Sequence, residues 1–328
     1  MTTPEAPSSS PPGGPRPEAP TPGWSYERTL KDPLTEESID LILHRPIAYA
    51  VLLPWQHASW RPTPNHFTLM GGVLGLLGAA VVMIAPDGSL LWVVAAFLMF
   101  AAHILDCCDG MLARLTRQGS SRGMLLDGMI DFIVGVAFWL AMSLRTAPDW
   151  GIWTVPAALS IILSILIHTG LHDQLRLRFE LLVNPPAEPR AVATPPQPGP
   201  ASPPERRGLW TRFLDAFFGF AQRFYEVTYI NISRICVGVE PGSPRPAIDP
   251  DVARQMFAGP MGMANYLGLS THMFLMYAVT SLALYELHLP FVLALTTVVV
   301  GLNLWAVLVV IAWRRAEGLV TMMMTSRG

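Results

Sequence analysis

The sequence predicts an all-α, polytopic membrane protein with six transmembrane helices and an N-terminal amphipathic helix on the membrane surface. Of its 328 residues, 51% are hydrophobic and 14% are charged, whereas soluble globular domains carry about a quarter charged residues. The apolar residues are concentrated in runs close to the ~20 residues that a helix needs to cross a bilayer. We expect no nucleic-acid partner, although the net charge of −2 does not itself decide this point.

Six apolar runs reach or approach the length of a membrane span, and turn-forming residues separate them. The runs are Phe67–Ile84, Leu90–Asp106, Met124–Leu144, Ile152–Leu171, Leu267–Leu284 and Phe291–Trp313. Arginines collect at one end of the runs, as at Arg114, Arg117 and Arg122 between the second and third. Because arginine-rich loops stay in the cytoplasm, we expect both termini and the acidic residues around the loop between the second and third runs to face the cytoplasm, at the cell inner or plasma membrane if the protein is bacterial.

The chain divides into seven predicted segments. They are a disordered tail (1–26), a cytoplasmic or interfacial amphipathic helix (27–62), four transmembrane helices (63–184), a Pro-rich linker (185–208), a cytoplasmic or interfacial segment (209–266), two transmembrane helices (267–315) and a C-terminal tail (316–328). In the second segment, Ile39, Ile42, Leu43 and Ile47 recur at helical spacing, which predicts a helix on the membrane surface. An amphipathic helix packed on protein would give the same pattern.

Four aspartates flank the loop between the second and third runs. Asp106 and Asp109 are three residues apart at the end of one predicted helix, and Asp127 and Asp131 are four apart at the start of the next. Residues with these spacings share one helix face. The loop is short, so we expect the two helices to be antiparallel neighbours whose four carboxylates converge.

Acidic residues within a membrane are costly and need a neutralising partner. Mg²⁺ binds through a few carboxylates together with substrate phosphates, so we predict a site for two Mg²⁺ ions, with Mn²⁺ as an alternative. Gly110 and Gly123 leave room for a nucleotide diphosphate beside the helix backbones. His103, one turn before Asp106, is interpreted as a packing residue, with a hydrogen bond to the metal ligand as the alternative.

Eight residues within positions 106–131 carry a resemblance to a known family. They are Asp106, Asp109, Gly110, Ala113, Arg114, Gly123, Asp127 and Asp131. These residues fill every fixed position of D-x2-D-G-x2-A-R-x8-G-x3-D-x3-D, and the pattern resembles the signature of the CDP-alcohol phosphotransferase family. The motif covers 26 residues, and the six-helix plan extends the resemblance from about Pro64 to Trp313.

The resemblance implies metal-dependent transfer of a phosphatidyl or phospho-alcohol group from a CDP-linked donor to an acceptor alcohol, with release of CMP, in phospholipid biosynthesis. It implies that Asp106, Asp109 and Asp127 bind the metals and that Asp131 deprotonates the acceptor hydroxyl, with a further place for Asp131 among the metal ligands. Residues implied to contact the nucleotide are Asn65, Thr68, Asp106, Gly110, Ala113, Arg114 and Gly123.

The identity of donor and acceptor stays open in the sequence. CDP-diacylglycerol with a polar acceptor such as inositol phosphate, glycerol phosphate or serine is preferred, with an inositol-type acceptor first. CDP-choline or CDP-ethanolamine acting on a lipid alcohol is the alternative. Arg122, Arg254 and His272 are candidate acceptor contacts, membrane lipids are expected partners, and a homodimer is a further expectation. An inactive scaffold and a cation transporter with an acidic ion site are the competing classes, although a transporter predicts acids near the bilayer midplane rather than at a helix end.

Overall fold

The computed structural model describes residues 24–58, 61–184, 209–232 and 248–325. Within these ranges the protein is helical and contains no strand, which confirms the predicted all-α class. The α-helices of the described chain, numbered α1 to α10, are Arg45–Leu52, Pro64–Ile84, Leu91–Thr116, Ser121–Trp150, Thr154–Val183, Leu209–Ile232, Pro250–Ala264, Leu269–Thr280, Leu289–Ala294 and Asn303–Thr325. Short π- and 3₁₀-helical turns extend several of them.

Among the described residues, five helical stretches are long and apolar enough to cross a membrane. They are Pro64–Ile84, Leu91–Thr116, Arg122–Val183, Pro250–Leu284 and Leu289–Met323. The third contains two helices, α4 and α5, which are separated by the 3₁₀ turn Gly151–Trp153 and pack against each other. Gly151 has a φ of +56° at this turn, a conformation that glycine adopts without steric cost. These apolar stretches are those of a multi-pass membrane protein, while six as the number of spans stays a prediction.

The exposed surface of these helices is suited to lipid. Val73 of α2 is 59% exposed and Phe97 of α3 is 63% exposed, and large exposed apolar surfaces are typical of contact with a membrane or another protein. Inside, Trp92 packs in a core formed by α2, α3, α4, α5, α8 and α9, and Trp313 packs in a second core formed by α5, α7 and α10. The second core ties the C-terminal helices to α5.

A glycine-rich face lets α2 pack closely on both of the helices that follow it. A Cβ atom at Gly72 would lie 2.7 Å from the Ile130 side chain of α4, and one at Gly71 would lie 3.0 Å from the Ala102 carbonyl oxygen of α3. Small residues allow membrane helices to approach one another in this way. The closeness of α2 therefore fixes the positions of α3 and α4.

The aspartate-bearing ends of α3 and α4 are brought together with the help of α2. The two helices that the sequence predicts to be antiparallel neighbours each make their principal contacts with α2. The turn between them ends α3 at Arg117, whose φ is +56°, and starts α4 at Ser120, whose hydroxyl accepts a hydrogen bond from the Gly123 N–H at 3.0 Å. The convergence of the aspartates depends on α2 as well as on the short loop.

The N-terminal helical segment runs from the π-turn Asp40–His44 through α1 to a 3₁₀ turn that ends at Gln56. Its buried residues are Asp40, His44, Arg45, Ala48 and Leu52, and α1 packs on α3. Packing on protein therefore accounts for these residues, while Ile42 is 78% exposed. Contact of the exposed apolar side with the membrane surface stays a prediction.

The boundaries of several predicted segments differ from the helices. Trp24 and Tyr26, assigned to the tail, pack near α1: the Tyr26 and Tyr49 rings lie 5.5 Å apart, and the Tyr49 hydroxyl donates to the Trp24 carbonyl oxygen. At the other end, α10 continues to Thr325, well into the predicted C-terminal tail. The remainder of the N-terminal tail and the Pro-rich linker 185–208 lie outside the described residues.

Candidate active site

Three of the four predicted aspartates form a close group at the ends of α3 and α4. One carboxylate oxygen from each of Asp106, Asp109 and Asp127 lies within 4.8 Å of the other two. Asp109 is buried and accepts a hydrogen bond from the Thr68 hydroxyl of α2. Asp131, one turn further along α4, is not part of this close group, although it lines the same cavity.

The close group has the chemistry of a divalent-cation site. The Oδ1 atom of Asp127 is buried and has no hydrogen-bond partner among the described residues. A buried carboxylate oxygen without a partner is costly, and a cation coordinated by several carboxylates removes that cost. Oxygen ligands suit hard ions such as Mg²⁺, so Asp106, Asp109 and Asp127 fit the metal that the sequence predicts.

A cavity of about 440 Å³ opens in front of the aspartates. One part of its lining is charged and includes Asp131 and Arg114, whereas another part is apolar and includes Phe132, Trp139 and Met273. Cavities of 300–1,000 Å³ accommodate small organic ligands. The mixed lining suits a ligand that has both a charged head and an apolar portion.

Comparison with known proteins identifies the region that carries this site. The family model of CDP-alcohol phosphatidyltransferase matches residues 61–176. These residues form a domain of that family. The match includes the four aspartates and the complete motif around them, and the family consists of transferases of phosphate-containing groups.

A curated relative supports the same assignment over part of the chain. It is the "Bifunctional IPC transferase and DIPP synthase" of Aquifex aeolicus (strain VF5), which is 30% identical over 88 residues. The aligned region is 27% of this chain and 19% of the relative. The chain therefore spans about a fifth of the length of this relative.

Within the transferase domain, the residues predicted to contact the nucleotide fall into two groups. Gly110 and Arg114 line the cavity, and the Arg114 Nη1 atom lies 3.6 Å from the position that a Cβ on Gly110 would occupy. Asn65 lies beside Gly123, where a Cβ would be 3.1 Å from the Asn65 Oδ1 atom.

Three predicted nucleotide contacts remain. Asp106 belongs to the close group of aspartates and lines the cavity, whereas Thr68 and Ala113 have different surroundings. Thr68 is occupied with Asp109, as described above, and Ala113 is not among the described residues that line the cavity. Gly110 and Arg114 therefore line the cavity, Asn65 lies next to Gly123, and the Thr68 hydroxyl donates a hydrogen bond to Asp109.

Of the three predicted acceptor contacts, His272 alone lines the cavity within the described chain. Its Nδ1 atom lies 2.8 Å from the Gly268 carbonyl oxygen. Arg122 is exposed, and Arg254 forms an ion pair with Asp32 at 2.8 Å. Neither arginine is part of the described cavity lining, because the helical positions that they occupy direct them elsewhere.

The N-terminal segment forms a wall of the cavity that the sequence did not reveal. Lys31, Glu36, Asp40 and Arg45 line it, and Glu36 pairs with the Arg45 Nε atom at 3.2 Å. A polar face is visible in the sequence at positions 36, 40 and 45, but polar residues on an amphipathic helix are normally solvated. Only the three-dimensional structure places them against the site.

Asp40 links the N-terminal segment to α3. It lies 2.8 Å from the His44 Nδ1 atom and 3.8 Å from the His103 Nε2 atom. Burial alone would raise the pKa of Asp40, but hydrogen bonding to these histidines and the nearby charge of Arg45 hold the pKa below its usual range. The other ring nitrogen of His103 is 3.7 Å from Asp106, so His103 lies between the N-terminal segment and the metal-ligand candidates.

Proposed function

We propose that the protein transfers a phosphatidyl or phospho-alcohol group from a CDP-linked donor to an acceptor alcohol, releasing CMP, as a step of phospholipid biosynthesis. The observation that carries the proposal is the close group of Asp106, Asp109 and Asp127, with Asp131 beside it, in a cavity that is part charged and part apolar. The domain match over residues 61–176 supports the same chemistry.

In this proposal Asp106, Asp109 and Asp127 hold two Mg²⁺ ions, for which Mn²⁺ can substitute. Ions bound there would neutralise charge on the donor phosphates and on the departing CMP. Arg114 and Gly110 border the nucleotide, since both line the cavity next to Asp109. Asn65 and Gly123 form the neighbouring contact, where the lack of a glycine side chain leaves space.

Asp131 is the proposed general base. It accepts the proton of the acceptor hydroxyl while the acceptor oxygen forms a bond to the β-phosphorus of the donor. The bond between that phosphorus and the bridging oxygen breaks, and CMP leaves with the electron pair. A base held apart from the metal ligands keeps its lone pairs available for the proton, and general bases contribute about 10²–10⁴-fold to rate.

CDP-diacylglycerol is the preferred donor because the apolar part of the cavity adjoins the aspartates. Phe132, Val136 and Trp139 of α4 contribute to this part together with Ile165 of α5, which suits the beginning of an acyl chain. The alternative donors CDP-choline and CDP-ethanolamine would instead place a lipid acceptor against the same residues. We further propose that the site faces the cytoplasm and that the protein acts in the membrane.

A donor screen tests the proposal. Purified protein with Mg²⁺ and CDP-diacylglycerol, CDP-choline or CDP-ethanolamine is expected to release CMP with an appropriate acceptor and to lose this activity with EDTA. The proposal would be refuted if protein that is folded and binds Mg²⁺ released no CMP from any of these donors.

The base assignment has its own test. Asp131→Asn is expected to lower kcat by at least ~10²-fold, because the amide cannot take the proton, while metal-dependent binding of CDP changes little. Undiminished turnover in this variant would remove Asp131 from the role of base. Glu226→Gln, at a partly exposed acid on α6 that is not part of the described cavity lining, serves as the control for a lost carboxylate.

A further inference from the structure

Four basic side chains line the same cavity as the aspartates. They are Lys31, Arg45, Arg114 and Arg176, which we call the basic wall. Lys31 and Arg45 precede residue 61, where the matched domain begins. The family match therefore gives no role to half of the basic wall.

The hydrogen-bonding capacity of the basic wall is only partly used. Arg45 pairs with Glu36, yet its Nη1 atom is buried and lacks a hydrogen-bond partner among the described residues. The Nε–H group of Arg114 donates to the Thr29 carbonyl oxygen, while its buried Nη2 atom likewise has no partner in the described chain. Unpaired buried donors are costly, so these guanidinium groups favour an anionic ligand.

Lys31 adds a positive charge that is near Glu36 but forms no ion pair with a described residue. Its backbone N–H lies 3.4 Å from Glu36, which anchors the segment, but no hydrogen bond or ion pair joins its ammonium group to another described side chain. Burial, followed by the positive charges of Arg176 and Arg45, lowers the pKa of Lys31 to about 8. The effect of Arg176 and Arg45 on this pKa indicates that the three cations lie close together.

Phosphate is the ligand whose charge and hydrogen-bonding capacity match this wall, because arginine and lysine donate charge-assisted hydrogen bonds to its oxygens. Under the proposed function, the two donor phosphates are held at the metal ions beside Asp106, Asp109 and Asp127. The basic wall is a second group of positively charged side chains in the same cavity.

We propose that the basic wall binds a phosphate group of the acceptor, so that the acceptor is a phosphorylated alcohol, such as a polyol phosphate, rather than a neutral alcohol or an amino alcohol. This inference rests on the proposed function and names its second substrate class. It assigns Lys31, Arg45 and Arg176 to substrate binding, and none of them came from the sequence motif.

The test compares acceptors in matched pairs with and without the phosphate, glycerol 3-phosphate against glycerol and inositol phosphate against inositol, by CMP release from CDP-diacylglycerol. The phosphorylated member of at least one pair is expected to react with a kcat/KM more than 100-fold higher. Lys31→Gln is expected to raise the KM for that acceptor by about 10- to 100-fold, with kcat and the donor KM changed by less than threefold. Lys31→Arg is expected to keep most of the affinity.

Arg178→Ala is the matched control. Arg178 lies two residues from Arg176 on α5, but it pairs with Glu317 at 2.7 Å and is not part of the described cavity lining. Its removal is expected to leave the acceptor KM within twofold of the wild-type value. A thermal midpoint close to that of the wild type shows that each variant is folded.

Inorganic phosphate provides a readout that does not depend on turnover. It is expected to raise the thermal midpoint of the wild-type protein and to compete with the acceptor, and Lys31→Gln is expected to lose both effects. Equal turnover of the unphosphorylated alcohol, or a Lys31→Gln effect confined to the donor KM, would overturn the inference while leaving the transferase function intact. Phosphate binding without CMP release from any donor would instead overturn the proposed function.

Discussion

Replacing Asp127 by asparagine should stabilise the metal-free protein and remove most of its stabilisation by Mg²⁺. The carboxylate oxygens of Asp106, Asp109 and Asp127 lie within 4.8 Å of one another. Two unit charges 4.8 Å apart at an effective dielectric constant of 20 repel by about 3.5 kcal/mol. Because 4.8 Å is the largest separation within the group, closer pairs repel more strongly when fully charged, whereas proton uptake in the absence of metal relieves part of the repulsion. The neutral amide of Asp127→Asn removes two of the three repulsive pairs.

The expected size of the stabilisation by Mg²⁺ follows from the linkage between ion binding and folding. Mg²⁺ at about 100 times its dissociation constant stabilises the folded protein by about 2.7 kcal/mol. For a chain of 328 residues, an unfolding entropy of about 2.1 cal/mol/K per residue converts that free energy into a rise in thermal midpoint of about 4 °C. Asp127→Asn is expected to have a higher midpoint than the wild type in EDTA and a rise below ~2 °C when Mg²⁺ is added.

The assay is thermal unfolding of the detergent-purified protein at a fixed scan rate, in EDTA and across a Mg²⁺ titration. Asp173→Asn is the matched control, because Asp173 lines the same cavity but has a side chain that is 53% exposed and lies outside the close group. That variant should keep the full Mg²⁺ response. A wild-type Mg²⁺ response in Asp127→Asn would refute the reasoning, since it would place the ion elsewhere.

Two further predictions concern packing and pH. Gly75→Ala would put a Cβ atom 2.5 Å from the Val134 side chain, and such overpacking is expected to lower the free energy of unfolding by about 1–3 kcal/mol. The control Gly262→Ala has open space around the new Cβ and should be neutral or stabilising. Equal thermal midpoints for the two variants would contradict the close α2–α4 contact. Burial raises the pKa of Glu37 to about 7, so the folded state holds this proton to a higher pH than the unfolded chain does. The stability contributed by Glu37 is therefore present at low pH and is lost as the pH rises from about 4.3 through about 7. Glu37→Gln should flatten the thermal midpoint between pH 5 and 8, whereas the exposed control Glu27→Gln should retain the wild-type slope.

The aspartate site was predictable because its pattern is local. Spacings of three and four residues put Asp106 with Asp109 and Asp127 with Asp131 on common helix faces whatever the rest of the chain does. The loop between the pairs is too short to separate them widely. The close group of three aspartates therefore agrees with the sequence, although the helix that holds α3 and α4 in place is α2, through glycines that carry no charge or motif.

Acceptor contacts could not be read from the sequence in the same way. Arg254 was a reasonable candidate as an arginine on the predicted cytoplasmic side, but it pairs with Asp32, which is 222 positions away in the chain. Nothing in the sequence around either residue signals this partner. Which basic side chains face the cavity is decided by where the N-terminal segment packs.

The sequence by itself predicted the helical membrane architecture and the clustering of the aspartates, because hydrophobic run length and helical periodicity act over a few turns. Only the tertiary structure decided that Lys31 and Arg45 complete the cavity and that Glu37 caps α8, where it accepts hydrogen bonds from the Ser270 and Thr271 N–H groups. The hydrogen bonds of Glu37 join residues more than 200 positions apart in the chain. Lys31 and Arg45 likewise share the cavity with residues of other helices. Their geometry depends on the packing of all the intervening helices, which no local pattern encodes.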